Sequence, residues 1–133
     1  MKSRPARSLA FPVAALCLLL SACAAEVARQ PTTFAPFNAA GHADQRLVMQ
    51  DVHATLNSGY THLIPKGMKC ELAGSIPQGK VYRPTNTVFS IEGAHVHEAY
   101  LVVNKGNLVG FYLPVERAFS ALNANNLKLW EEQ

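Results

Sequence analysis

A long apolar stretch, interrupted once by polar residues, constrains the fold of this 133-residue chain more than any other feature. Residues 99–103 and 108–113 are apolar at successive positions, so an extended chain there would be apolar on both faces. The turn-forming residues Asn-Lys-Gly-Asn at 104–107 lie between them, as in a β-hairpin. Because a strand that is apolar on both faces must be covered on both sides, this pattern predicts the central hairpin of a sheet.

Shorter strands are predicted on the N-terminal side of this hairpin, separated by Pro and Gly residues. They cover residues 60–64, 68–72, 81–83 and 87–92. Pro84 follows the third of them directly and has no N–H for a sheet ladder, which favours an edge strand at that point. Residues 127–130 are expected to dock as a last short strand.

Two helices are predicted beside the sheet. Over residues 44–57, the apolar residues Val48, Val52 and Leu56 repeat every four positions, with Asp44 as the N-cap. After Pro114, the apolar residues Val115, Ala118, Phe119 and Leu122 have the spacing of one helix face, and Glu116 suits its first turn. The predicted fold class is therefore α+β: a small curved antiparallel sheet of about five strands, open or closed as an SH3-like half-barrel, flanked by an N-terminal and a C-terminal helix.

The first 23 residues have the layout of a secretory signal: basic residues, an apolar run over 9–20, and then small residues. Their ending, Leu20-Ser21-Ala22-Cys23, resembles the lipobox of bacterial lipoproteins, in which the cysteine takes a diacylglyceryl group and becomes the first mature residue. The resemblance implies anchoring through a lipid on Cys23. Because Ala24 rather than an aspartate follows, it also implies an outer-membrane location facing the periplasm.

Two other interpretations of this segment remain open. Ala22-Cys23-Ala24 also fits ordinary cleavage of a soluble secreted protein. The apolar run is shorter than the roughly 20 residues that a transmembrane helix needs, which disfavours a permanent span. The lipoprotein interpretation divides the chain into a signal peptide (1–22), a lipidated tether (23–41) and a single domain (42–133).

Charge and cysteine content narrow the partners. The chain has 12 basic and 9 acidic residues, and three of the basic ones lie in the signal, which leaves nine of each. A balanced, scattered set of charges argues against nucleic acid as a partner. Cys70 is the one cysteine beyond the lipobox, so it is either a buried small apolar residue or the site of an intermolecular disulfide that would form a homodimer.

The clearest cluster of chemically active residues is His95-Val96-His97-Glu98. Residues two apart on a strand face the same way, so His95 and His97 could both reach one metal ion, with a further ligand from a histidine or carboxylate elsewhere. The candidates for that ligand are His42, His53, His62 and Glu92. A metal-binding or enzymatic periplasmic domain is therefore the alternative function.

No nucleophile elbow, phosphate loop or paired acid motif is recognisable in the sequence, so no enzymatic activity and no cofactor are expected. Tyr82, Arg83 and Tyr100 place aromatic rings and a cation within the predicted strands. Such residues are enriched in the anchor positions of interfaces. The favoured function is a non-catalytic envelope lipoprotein whose tethered domain binds a protein partner at the membrane.

Overall fold

The computed structural model describes residues 26–38, 44–123 and 127–132, and in these ranges the chain is all-β. The strands are β1 (Gln30–Pro31), β2 (Ala35–Pro36), β3 (Gln45–Leu47), β4 (Val52–Thr55), β5 (Thr61–Ile64), β6 (Lys69–Ile76), β7 (Gly79–Pro84), β8 (Ser90–Glu92), β9 (Val96–Glu98), β10 (Tyr100–Asn104), β11 (Asn107–Leu113), β12 (Ala118–Ala121) and β13 (Leu127–Lys128). This part of the chain contains no helix that is long and apolar enough to cross a membrane.

One curled antiparallel sheet organises the molecule. Its order is β1-β12-β11-β10-β7-β6-β2, with β13 paired to β11 and β3 paired to β6. The hairpin predicted from the apolar stretch forms as β10 and β11, in which Tyr100 opposes Tyr112 and Asn104 opposes Asn107. Two separate hairpins, β4–β5 and β8–β9, complete the described fold.

The predicted N-terminal helix is wrong. Residues 44–57 instead form β3, a connection that bends at Gln50, and β4, although Val48, Val52 and Leu56 are buried as expected. A spacing of four residues is also a multiple of two, so Val52 and Leu56 share one face of the extended chain. Ala54, midway between these two, is fully buried, as the strand period requires.

The predicted C-terminal helix is also wrong, so the fold class is all-β rather than α+β. Residues 114–117 form a turn, with Arg117 at a φ of 54°, and β12 returns antiparallel to β11 with Ala118 opposite Leu113. Ala118 and Phe119 are both buried because β12 is covered on both faces. The adjacent apolar residues Ala118 and Phe119 match positions i+3 and i+4 of a helix face, which is why the sequence pattern predicted a helix.

The predicted edge strand at Pro84 is likewise wrong, because β7 lies inside the sheet between β6 and β10. Its pairing with β6 runs to Pro84, whereas its pairing with β10 stops at Tyr82, which opposes Leu101. Pro84 is the last residue of β7, where it interrupts no ladder on the β10 side. Beyond Tyr82 the two strands diverge.

The segment 30–36, part of the stretch interpreted as a tether, bridges the two edges of the sheet. Gln30 opposes Phe119 on β12, and Ala35 opposes Ser75 on β6, only five residues further along the chain. The Phe34 ring stacks on Tyr112, with the ring centres 5.0 Å apart. A Cβ on Gly74 would overlap both the Phe34 ring and the Ala35 carbonyl, so this position requires glycine for the segment to dock.

Apolar side chains are buried on both faces of the sheet. On one face they pack against the β4–β5 and β8–β9 hairpins and against Leu129 and Trp130 near the C-terminus. On the other face a smaller cluster, which includes Val102 and Tyr112, packs under Phe34. This two-sided burial accounts for the continuous apolar pattern of β10 and β11.

Candidate functional site

The divergence of β7 and β10 opens a groove of about 330 Å³ between residues 83–89 and 98–100. One wall is the end of β7 and the chain that follows it, and the other is the junction between β9 and β10. Ala99 donates its N–H to the Phe89 carbonyl at 2.9 Å, which ties the two walls together at the base of the β8–β9 hairpin. The groove therefore results from the point at which the β7–β10 ladder ends.

Polar groups of opposite charge line this groove together with an exposed apolar side chain. Arg83 and Glu98 are both lining residues, and Arg83 also lies 3.7 Å from Glu71 in a half-exposed ion pair. Burial raises the pKa of Tyr100, and the Glu98 carboxylate raises it further, although Arg83 acts in the opposite direction. The Tyr100 hydroxyl thus stays protonated at neutral pH and can both donate and accept hydrogen bonds.

The most exposed large apolar side chains of the described residues gather around the β8–β9 hairpin. Val88 is 80% exposed and lines the groove, and Val96, in β9, is 67% exposed. Val115 is 78% exposed and precedes Glu116, which contacts β9 through His97. Apolar side chains grouped beside a polar groove are typical of a protein-binding surface.

Of the three residues predicted to bind a partner, the groove brings together Arg83 and Tyr100 but not Tyr82. Tyr82 faces the core, where its ring packs edge-to-face on Trp130 with the centres 4.9 Å apart. Its hydroxyl donates to Asp44 Oδ2 at 3.1 Å. Burial and the Asp44 carboxylate raise the pKa of Tyr82, although the Arg46 charge opposes them, so the donor proton is retained.

His95 and His97 occupy different environments. His97 is 6% exposed, and its Nδ1 lies 2.6 Å from Glu116 Oε1. The His95 side chain is 75% exposed, and its Nε2 lies 3.5 Å from Glu26 Oε1. The two rings are perpendicular, with centres 6.5 Å apart.

The Glu116 carboxylate is hydrogen-bonded to the buried His97 ring. Burial acts to raise the pKa of Glu116, but the hydrogen bond with His97 and the nearby positive charges outweigh it, so the pKa is lowered overall. His97 Nε2 and Glu116 Oε2 are buried and have no hydrogen-bond partner among the described residues. The pair therefore joins the β8–β9 hairpin to the β11–β12 turn.

A metal site at this pair gains no support. Within residues 26–38, 44–123 and 127–132, no group of three or more His, Cys, Asp or Glu side chains could hold a metal ion. His62, one candidate third ligand, instead accepts the Glu92 N–H on its Nε2 at 3.3 Å. His42, Cys17 and the lipobox residue Cys23 lie outside the described residues.

Cys70 lies in β6 and is 1% exposed, with its side chain in the core. Burial raises the pKa of the thiol to about 12, so the reactive thiolate is not formed at neutral pH. A disulfide between two copies of the chain would require β6 to open. The environment of Cys70 is that of a small buried apolar residue.

The sequence patterns assign no partner-binding role to Val88, Glu98 or Glu116. They place Glu116 in the first turn of a helix and Glu98 beside the two candidate metal-binding histidines. Their positions depend on where β7 and β10 separate and on the turn at 114–117, which no local pattern specifies. Comparisons of this chain with protein-family models, with curated proteins and with solved structures find no match.

Proposed function

We propose that this chain is an envelope lipoprotein, anchored through Cys23 in the outer membrane and facing the periplasm, whose small β domain binds a protein partner in the groove. The observation that carries the proposal is a groove lined by Arg83, Glu98 and Tyr100 that also exposes Val88, with Val96 exposed on the adjoining strand β9. The apolar side chains would supply contact area, and the two opposite charges would orient the partner.

The position of Glu26 indicates which part of the domain would lie near a lipid on Cys23. Glu26 lies beside His95, at the turn between β8 and β9, and forms an ion pair with Arg29. Cys23 precedes Glu26 by three residues, which is at most roughly 10 Å of extended chain. A lipid on Cys23 would therefore hold the β8–β9 hairpin, and the groove at its base, close to the membrane surface.

Such confinement would favour a partner in or on the same membrane. Anchoring raises the effective concentration of the groove at the partner, so that the contact itself can be small and individually weak. A groove of about 330 Å³ suits a few side chains of a partner rather than a large interface.

The anchor is tested by fractionation of cells that carry the wild-type chain or Cys23→Ser, with mass spectrometry of the mature N-terminal peptide. We expect the wild-type chain in the membrane fraction with acyl chains on Cys23, and the variant in the soluble fraction. A wild-type chain cleaved beyond Cys23 would contradict the anchor, whatever the groove does.

The groove is tested in the same cells with a photo-crosslinking amino acid at position 88, and with position 63 on β5 as an exposed control outside the groove. We expect a discrete adduct from position 88 only, and we expect Arg83→Ala to reduce it while Lys66→Ala leaves it unchanged. Equal adducts from both positions, or no effect of Arg83→Ala, would contradict partner binding in the groove.

A further inference from the structure

A second cavity, of about 200 Å³, lies at the other end of the β7–β10 ladder. Its lining includes three cationic side chains, Arg46, Lys80 and Lys105, and the aromatic residues Tyr82 and Trp130. We call it the basic cavity. The groove and the basic cavity share β7 but use different residues of it.

Pairing within the sheet brings the three cations together from distant parts of the chain. Lys80 opposes Val103 on β10, and Lys105 lies in the turn that follows that strand. Arg46 comes from β3 and opposes Cys70 on β6. Among the described residues, Glu132 is the one carboxylate that lines the cavity.

Asp44 orients Arg46 rather than occupying the cavity itself. The Arg46 Nε donates to Asp44 Oδ1 at 2.9 Å, and its Nη2 donates to Asp44 Oδ2 at 3.5 Å, the oxygen that also accepts from the Tyr82 hydroxyl. The hydrogen bond with Asp44 raises the pKa of Arg46, although burial opposes it, so the guanidinium stays charged. Of the five N–H donors of an arginine, those directed away from Asp44 remain for a ligand.

Trp130 is fixed at the wall of the cavity by Gly106. Leu129 and Trp130 donate their N–H groups to the Gly106 carbonyl at 2.9 and 3.4 Å. Gly106 has a φ of 79°, and a Cβ there would overlap the Trp130 carbonyl oxygen. Glycine at this turn therefore permits the close approach that places the indole beside the cations.

We propose that the basic cavity binds a compact polyanion that carries phosphate or carboxylate groups. Its volume equals that of about seven water molecules at roughly 30 Å³ each, which is below the usual size of a drug-like site. Three cations from three elements match two or more negative oxygens, and charge-assisted hydrogen bonds from Arg and Lys supply the affinity. This site is independent of the lipid anchor and of the protein partner.

The test uses the tryptophan at the cavity as the reporter. Trp130 is the only tryptophan in the chain and it lines this cavity, so every change in tryptophan fluorescence or in the single indole NMR signal arises at this residue. The purified chain, in its natural processed form, is titrated at low salt with inorganic pyrophosphate and with citrate. Sodium chloride at matched ionic strength is the control. We expect saturable changes with one of the two polyanions at millimolar or lower Kd and no such change with chloride.

The matched variants are Lys80→Gln, inside the cavity, and Lys66→Gln, an exposed cation outside it. Neither side chain makes an ion pair in the described structure, so both variants should fold. We expect Lys80→Gln, and separately Lys105→Asn, to raise the Kd at least about fivefold, while Lys66→Gln leaves it unchanged. Preference for pyrophosphate would assign a phosphate ligand, and preference for citrate a carboxylate ligand. Equal weakening by Lys80→Gln and Lys66→Gln, or no saturation below about 10 mM, would overturn the proposal.

Discussion

The two ends of the β7–β10 ladder differ in shape and in charge, although the same two strands build both. At one end the strands remain paired through Lys80 and Val103, and β3, β7 and the β10–β11 turn each contribute a cation beside an aromatic wall. At the other end the pairing stops at Tyr82, and the divergence leaves a groove with one cation, one anion and an exposed valine. The positions at which the β7–β10 pairing ends therefore determine where both candidate sites lie and which residues line them.

The two ends are also held by different kinds of contact. The wall of the basic cavity depends on backbone hydrogen bonds to Gly106 and on packing around Trp130. The β8–β9 hairpin beside the groove depends on side-chain contacts, from His97 to Glu116 and from His62 to the Glu92 N–H. We therefore expect the cavity to respond to changes in shape and the hairpin to respond to changes in charge and pH.

The largest expected effect comes from Gly106→Ala, compared with Gly59→Ala. Both glycines have a positive φ, 79° and 93°, but a Cβ meets the Trp130 carbonyl at position 106 and open space at position 59. The left-handed conformation costs an alanine about 1 kcal/mol, and overpacking adds about 1–3 kcal/mol at position 106 only. Urea unfolding should therefore show a loss of about 2–4 kcal/mol for Gly106→Ala and about 1 kcal/mol for Gly59→Ala. Equal losses would mean that Trp130 is not held against this turn.

The next largest effect is expected from removing the buried His97–Glu116 contact, compared with the exposed Lys128–Glu131 contact of similar length. Glu116→Ala leaves the buried His97 Nδ1 without its partner at 2.6 Å, which should cost about 1–3 kcal/mol. Glu131→Ala removes an exposed contact to Lys128 at 2.7 Å and should cost less than about 0.5 kcal/mol. Chemical denaturation at neutral pH measures both. A Glu116→Ala chain as stable as wild type would show that this contact does not hold the hairpin.

The Glu116 carboxylate also predicts a pH dependence of known sign. Because its pKa is lowered in the fold, its contribution to stability is complete above the ordinary value of 4.5 and is lost as the pH falls through the lower folded pKa. Glu116→Gln keeps the shape of the side chain but cannot titrate, so its stability should decline less over that acid range. Parallel acid-unfolding curves for the two chains would contradict the lowered pKa.

A smaller effect tests whether the two ends act independently. Arg83→Ala should reduce crosslinking from position 88 and leave the pyrophosphate or citrate Kd unchanged, while Lys80→Gln should do the reverse. Each loss is expected to be about fivefold, equivalent to about 1 kcal/mol. If the two ends are independent, the double variant should lose as much crosslinking as Arg83→Ala alone and as much affinity for the polyanion as Lys80→Gln alone. A larger loss in either measurement would mean that β7 couples the groove to the basic cavity.

The sequence predicts an element correctly where its apolar pattern fits only one kind of secondary structure. The β10–β11 hairpin has apolar residues on both faces and a clear turn, and no helix explains both. The spacing of Val48, Val52 and Leu56 fits a helix and a strand equally, and only Ala54 between them distinguishes the two. Local propensity could not decide between them, because strand pairing fixes the outcome: β4 pairs with the next strand, β5, and Leu56 pairs with Leu122, far along the chain.

The candidate site was predictable only in part for a related reason. Arg83 and Tyr100 were selected by residue type, and they lie in one groove because β7 and β10 diverge beyond Tyr82. Tyr82 was selected by residue type in the same way, but side chains alternate between the two faces of a strand, and the Tyr82 ring lies on the core side. The cations of the basic cavity are scattered singly along the sequence, so their proximity follows from strand register alone.

The smallest expected effect concerns His62, which joins the β4–β5 hairpin to the β8–β9 hairpin. Burial of the ring lowers the pKa of His62, although the Glu92 carboxylate opposes the shift. The Nε2 atom that accepts the Glu92 N–H must be unprotonated, so protonation breaks this contact. The unfolded chain then binds more protons than the folded one at a pH between the ordinary pKa of 6.5 and the lower folded pKa. Stability therefore falls as the pH drops through that interval.

Urea midpoints measured at about pH 7.5 and at about pH 5 bracket the interval in which His62 titrates. The decrease between them should be smaller for His62→Gln, whose amide oxygen can accept the same N–H without titrating, whereas His53→Gln, at an exposed position on β4, should behave as wild type. If His62→Gln and His53→Gln show the same decrease as wild type, the contact between the hairpins does not depend on pH, and the contrast between a shape-dependent cavity and a pH-dependent hairpin would rest on Glu116 alone.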